Sequence, residues 1–135
     1  MATIEITQEN LTQHVESSEI LFLDFWADWC GPCKQFGPIF EAASEKHTDI
    51  TFGKVDTEDQ QQLAAAAGIT SIPTIMGFRE GVLVFSQPGA LNGQQFDQII
   101  EAVKDLDMAE VHKQVAEAEA AQAAGEDVSN NPAQA

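Results

Sequence analysis

Between Ile20 and Trp26 the chain is apolar at every position except Asp24. A continuous run of Phe, Leu and Ile predicts a strand buried on both faces. From Gly31 the period changes. Phe36, Ile39, Phe40 and Ala43 recur at helical spacing, which predicts a helix to about Lys46. Pro38 falls inside it, where the loss of one ladder bond is expected to kink the element. Upstream, weak alternation over Thr3 to Ile6 predicts a short edge strand. Thr7 can cap a helix through Val15, with Leu11 and Val15 on one face. Downstream, Ile50 to Val55 reads as a strand. The polar turn Asp56-Thr57-Glu58-Asp59 can cap a helix through Ala67, with Gly68 as its C-cap. Strand, helix and strand at this spacing predict a parallel crossover. Ile75 to Phe78 and Val82 to Phe85 pair antiparallel around Arg79-Glu80-Gly81. After the Pro88-Gly89 turn, Asn92 caps an amphipathic helix that buries Phe96, Ile99, Ile100, Val103 and Leu106.

Past residue 106 the pattern thins. Asp107 and Glu110 can form a capping box, and Met108, Val111 and Val115 give a narrow apolar stripe. Beyond Val115 the chain is mostly Ala, Glu and Gln, which favour helix but offer little surface to bury. The expected organisation is a domain over 1–106, a helical extension over 107–124 and a disordered tail over 125–135.

Both cysteines, Cys30 and Cys33, lie where the buried strand hands over to the helix. With Cys30 as N-cap, the Cys33 amide can donate to its sulfur. Pro32 has no N–H, but that donor would have been unpaired in a first turn anyway. The positive end of the helix dipole favours thiolate over thiol. A cysteine so placed falls from about 8.5 into the range of roughly 3.5 to 7.5. Cys30 is therefore the expected nucleophile. Cys33, further into the helix, is expected to be more buried and to act as the resolving thiol, attacking a mixed disulfide formed at Cys30.

Composition narrows the class. A chain of 135 residues, 44% hydrophobic and 21% charged, suits a single globular domain. There is no apolar run long enough to span a membrane. The N-terminus MATIEITQEN lacks the marks of a signal peptide, so the expected location is the cytoplasm. Two cysteines in such a chain point to redox or metal chemistry and away from a structural bridge. A net charge of −16, with the basic residues dispersed, argues against nucleic acid or anionic membrane as the main partner. Its simplest reading is solubility; steering toward a basic partner is the alternative.

The run DFWADWCGPCK closely resembles the active-site segment of bacterial thioredoxins, and Pro38, Lys54, Ile72-Pro73-Thr74, Gly81 and Gly89 follow in that family's order and spacing. The resemblance covers roughly residues 3 to 106. It implies the α/β thioredoxin fold, a mixed five-stranded sheet with helices on both faces, here with an extra C-terminal helix. It implies a protein-disulfide reductase with no bound cofactor, recharged from NADPH by a thioredoxin-reductase-like flavoprotein. Its clients would be disulfide-containing proteins such as reductive and peroxide-defence enzymes. A monomer is the default, since no apolar patch announces a dimer.

The residues around the pair take roles within that resemblance. Asp24, a lone carboxylate in a buried strand, should have a raised pKa. It can serve as the base that deprotonates Cys33, or simply pair with Lys54; the resemblance joins the two, with Lys54 tuning Asp24. Gly31 and Pro32 set the redox direction. Pro73 can be an ordinary strand-initiating proline, but the family loop implies a cis Ile72–Pro73 bond that presents the Ile72 backbone to an extended substrate. Ser71 stands where many relatives have glycine. Trp29 and Gly89 belong to the docking surface, and Trp26 packs under the site. Competing functions are a disulfide oxidant or isomerase of the same fold, and a redox-independent scaffold subunit. Zinc is disfavoured because His14, His47 and His112 fall on separate elements without ligand spacing.

Overall fold

The computed structural model describes residues 2–124, so the tail expected over 125–135 lies outside the described residues. The chain divides into two compact units between Lys104 and Asp105.

In the first unit the elements run β1 (Thr3–Glu5), α1 (Leu11–Ser17), β2 (Ile20–Trp26), α2 (Gly31–Lys46), β3 (Thr51–Asp56), α3 (Gln61–Ala66), β4 (Thr74–Arg79), β5 (Val82–Pro88) and α4 (Gly93–Lys104). The five strands form one sheet in the order β1-β3-β2-β4-β5. β3 runs parallel to both β1 and β2, whereas β4 is antiparallel to β2 and β5. The apolar run thus became the central strand, and six of its seven residues are buried.

Alternation along β2 divides the core between two faces. Phe22 points to one face, where Phe36, Phe40, Phe52 and Phe96 join it with ring centroids 5.3 to 6.3 Å apart. This is the face covered by α2 and α4. Leu21, Leu23 and Phe25 point to the other, with Leu11 and Val15 of α1 and Leu63 of α3. Asp24 shares the face of Phe22. Its neighbours in register are Lys54 on β3 and Ile75 on β4.

A boundary moved where a side chain took a backbone bond. α1 begins at Leu11 instead of following Thr7, because the Asn10 side chain accepts the Thr7 N–H at 2.7 Å and holds residues 8–10 in a turn. α3 begins just after the expected polar turn, which Asp56 Oδ1 closes by accepting the Glu58 N–H at 2.9 Å. Gly68 ends that region with φ of 72°. Asn92 and Gln95 exchange reciprocal bonds of 2.8 and 3.0 Å at the start of α4. Of the five apolar residues expected on its inner face, Phe96, Ile100 and Val103 are buried and Ile99 is half-buried; Leu106 falls past the helix end. The β4–β5 hairpin turns on Glu80 and Gly81, both at positive φ (51° and 80°).

In the second unit, α5 spans Met108–Ala124. The Asp107 side chain accepts the Glu110 N–H at 3.2 Å.

Candidate active site

β2 ends at Trp26, and four residues later Cys30 stands as the N-cap of α2 in extended conformation (φ −90°, ψ 111°). Its sulfur accepts the Cys33 N–H at 3.2 Å. Gly31 and Pro32 are exposed in the first turn, where a proline leaves no orphan donor. Cys30 and Cys33 form a disulfide with Cα atoms 5.2 Å apart. Burial does not separate the two, contrary to the sequence expectation, since Cys30 is 3% exposed and Cys33 4%.

Neighbours do separate them. Cys30 Sγ lies 3.7 Å from the Ile72 carbonyl oxygen. The Ile72–Pro73 bond is cis. Gly89 donates its N–H to the Pro73 carbonyl at 2.7 Å and sits at φ 102°, a conformation that a Cβ disfavours. Trp29, 69% exposed, stands beside Cys30 and donates its indole N–H to Glu58 at 3.2 Å. Cys33 instead borders a small cleft of about 130 Å³ that it shares with Trp26, Lys34 and Lys54. Lys54 Nζ lies over the Trp26 ring, 5.2 Å from its centroid.

Asp24 is wholly buried, and neither carboxylate oxygen has a hydrogen-bond partner. Burial pushes its pKa up to about 7, with the positive charge of Lys54 holding it lower than burial alone would. A carboxyl group titrating near neutrality, on the sheet face that α2 covers, can take or give a proton during turnover.

The structure thus brings the Ile72 carbonyl to Cys30 Sγ and ties Gly89 to Pro73, while Gly31 and Pro32 lie exposed between the two cysteines. Asp24 and Lys54 are neighbours in register on β2 and β3. His47 caps the far end of α2, with Nε2 3.7 Å from Asp97 and Nδ1 3.4 Å from Lys104 Nζ. Sequence reasoning did not single out Glu58, because its contact with Trp29 joins residues 29 apart in the chain. Thr57 was missed for the same reason; its N–H and hydroxyl fix the Trp26 carbonyl at 2.9 and 3.0 Å. Among the described residues, no three His, Cys, Asp or Glu side chains cluster to hold a metal ion.

The sequence model of the family described as Thioredoxin matches residues 2–105. The chain belongs to the thioredoxin family. A relative from Streptomyces coelicolor designated thioredoxin 2 is 55% identical over 119 residues, covering 88% of this chain and 89% of that protein. The Plasmodium falciparum thioredoxin structure superposes with a TM-score of 0.68 at 33% identity, covering 74% of this chain and 97% of that one. A mutant thioredoxin from Halobacterium salinarum gives 0.71 at 31% identity, covering 77% and 91%. Family membership and the closed Cys30–Cys33 pair make this chain a thiol–disulfide oxidoreductase.

Proposed function

We propose that the chain runs in the reducing direction, as a monomeric cytoplasmic protein-disulfide reductase whose redox unit is residues 1–106. The observation that carries the direction is Gly31-Pro32 between the two cysteines, the pair found in the family's reducing members. The Cys33 N–H donated to Cys30 Sγ at the start of α2 favours thiolate at Cys30 and makes it the attacking sulfur. In the reduced protein Cys30 is the nucleophile. Its thiolate attacks one sulfur of a client disulfide; the client S–S bond breaks, a Cys30–client disulfide forms, and the departing client thiolate takes a proton from solvent. Cys33 then loses its proton to Asp24, directly or through a water in the adjoining cleft, and attacks Cys30 Sγ. The second client thiol leaves, two electrons have passed to the client, and Cys30–Cys33 is closed.

Lys54 tunes Asp24, and Gly31 and Pro32 set the direction, matching the reducing members of the family. Trp29, Ile72, Pro73 and Gly89 hold the client. No bound cofactor takes part. NADPH supplies electrons through a thioredoxin-reductase-like flavoprotein, and the clients are oxidised proteins such as reductive and peroxide-defence enzymes.

Equilibration of the Cys30–Cys33 pair against a defined thiol buffer tests the direction. A potential near the reference value for thioredoxins, about −270 mV, is expected; one near about −120 mV, that of a strong periplasmic oxidant, would reverse it.

A further inference from the structure

Trp29 and Ile72, which flank Cys30, also wall a groove of about 450 Å³ whose floor includes Ala64, Ala65 and Ile69. Trp29 is one of two large apolar side chains exposed among the described residues. Its indole is not free to swing, because Glu58 accepts its N–H at 3.2 Å. Glu58 is itself exposed, and it follows Thr57 of the groove wall in the chain.

None of the residues that line this groove is charged, and the charged residues next to them in the chain are Asp28, beside Trp29, and Asp56 and Glu58, on either side of Thr57. The five cations of the first unit are paired or border another cleft. Lys46 pairs with Asp97, Lys104 with Asp49, and Arg79 donates to the Val103 and Lys104 carbonyls. Lys34 and Lys54 border the separate cleft at Cys33. An uncharged groove whose nearest charges along the chain are all negative fits a cationic occupant.

We infer that this groove selects client segments with a Lys or Arg beside the target cysteine, and that Glu58 is the residue that reads the charge. The inference rests on the reductase reading and narrows its substrate class. The client's apolar side chains lie against Trp29 and Ile69, while its cation approaches the Glu58 carboxylate from solvent. Charges at an interface rim act mainly on encounter, so the preference is expected in kcat/KM and weakens with salt.

The test uses the full chain, reduced beforehand, and three synthetic peptides that share one disulfide loop flanked by Arg, Ser or Glu. Single-turnover reduction is followed for the wild type, Glu58→Gln and Glu58→Arg. Gln keeps an oxygen for the Trp29 indole but carries no charge, so it separates charge from positioning. The wild type is expected to reduce the Arg peptide about two- to fivefold faster than the Ser peptide, as a solvent-exposed ion pair allows. The ratio should fall toward one in Glu58→Gln and at high salt, and invert in Glu58→Arg. Equal rates for the three peptides, or a preference that survives Glu58→Gln, would overturn the inference and leave the reductase reading standing. Failure to reduce any of them would instead overturn that reading.

Discussion

Cys30 and Cys33 are the same residue type, in one disulfide and equally buried, yet they face different surroundings. Cys30 adjoins a backbone carbonyl and an exposed tryptophan, both from residues that wall an open groove. Cys33 adjoins a cleft about a third the size, bordered by Lys54, on the sheet face that holds an ionisable Asp24. On the proposed assignment, labour between the paired thiols is divided by what can reach each sulfur, a client or a proton, and not by how much of it solvent touches.

Removing one sulfur at a time breaks the comparison most sharply. Cys30→Ser should abolish turnover, lowering it by at least about three orders of magnitude. Cys33→Ser should instead accumulate a Cys30–client adduct, visible by mass spectrometry as the summed mass. Adducts forming at Cys33 in the Cys30→Ser protein would overturn the assignment.

Next in size is Asp24. Its pKa is about 7 folded against about 3.9 unfolded, so between those values the folded state binds more protons. Stability therefore falls as pH rises from about 4 through 7, by an amount of order 4 kcal/mol. Asp24→Asn removes that loss. It should stabilise the protein in urea melts at pH 8 and do far less at pH 4. The same variant should slow release of the mixed disulfide by about 10²-fold and erase the inflection near neutrality in its pH profile. An unchanged profile would mean that the proton leaves Cys33 by another route.

Lys54→Met sharpens the proton-handling side. Without that cation the Asp24 pKa should move further above about 7, readable from the carboxyl carbon shift in an NMR titration. A downward move would contradict the stated balance of burial and charge.

The smallest expected effect on stability tests the client side. Trp29→Ala should leave the unfolding free energy from urea melts within about 0.5 kcal/mol of wild type, since the side chain is 69% exposed. It should nonetheless raise KM for a protein disulfide more than for a small one. Equal changes for both would remove Trp29 from the docking surface.

Much of this contrast was legible in the chain. A change from a continuous apolar run to helical spacing located the strand–helix junction, because burial imposes those periods directly. Asp24 stood out for the same reason, as a charge in a run that has no room for one. What the sequence could not convey were pairings between distant segments. Examples are the Trp29–Glu58 bond, Lys54 over Trp26 and Gly89 tied to the Pro73 carbonyl. The start of α1 was misplaced because Asn10 satisfied a backbone donor locally, a choice decided by a single bond. The expected burial difference between the cysteines failed because depth along α2 was taken for depth in the protein, although the disulfide buries both sulfurs together.

Arg79, at the end of β4, donates to the last two carbonyls of α4 at 2.8 and 2.7 Å. Helix ends normally fray because those acceptors face water. Here a guanidinium fixed in the sheet terminates the helix, so the final turn of α4 can open only when that link to β4 breaks. In hydrogen–deuterium exchange the amides of that turn would then carry protection closer to that of the central strands than to that of a free helix end.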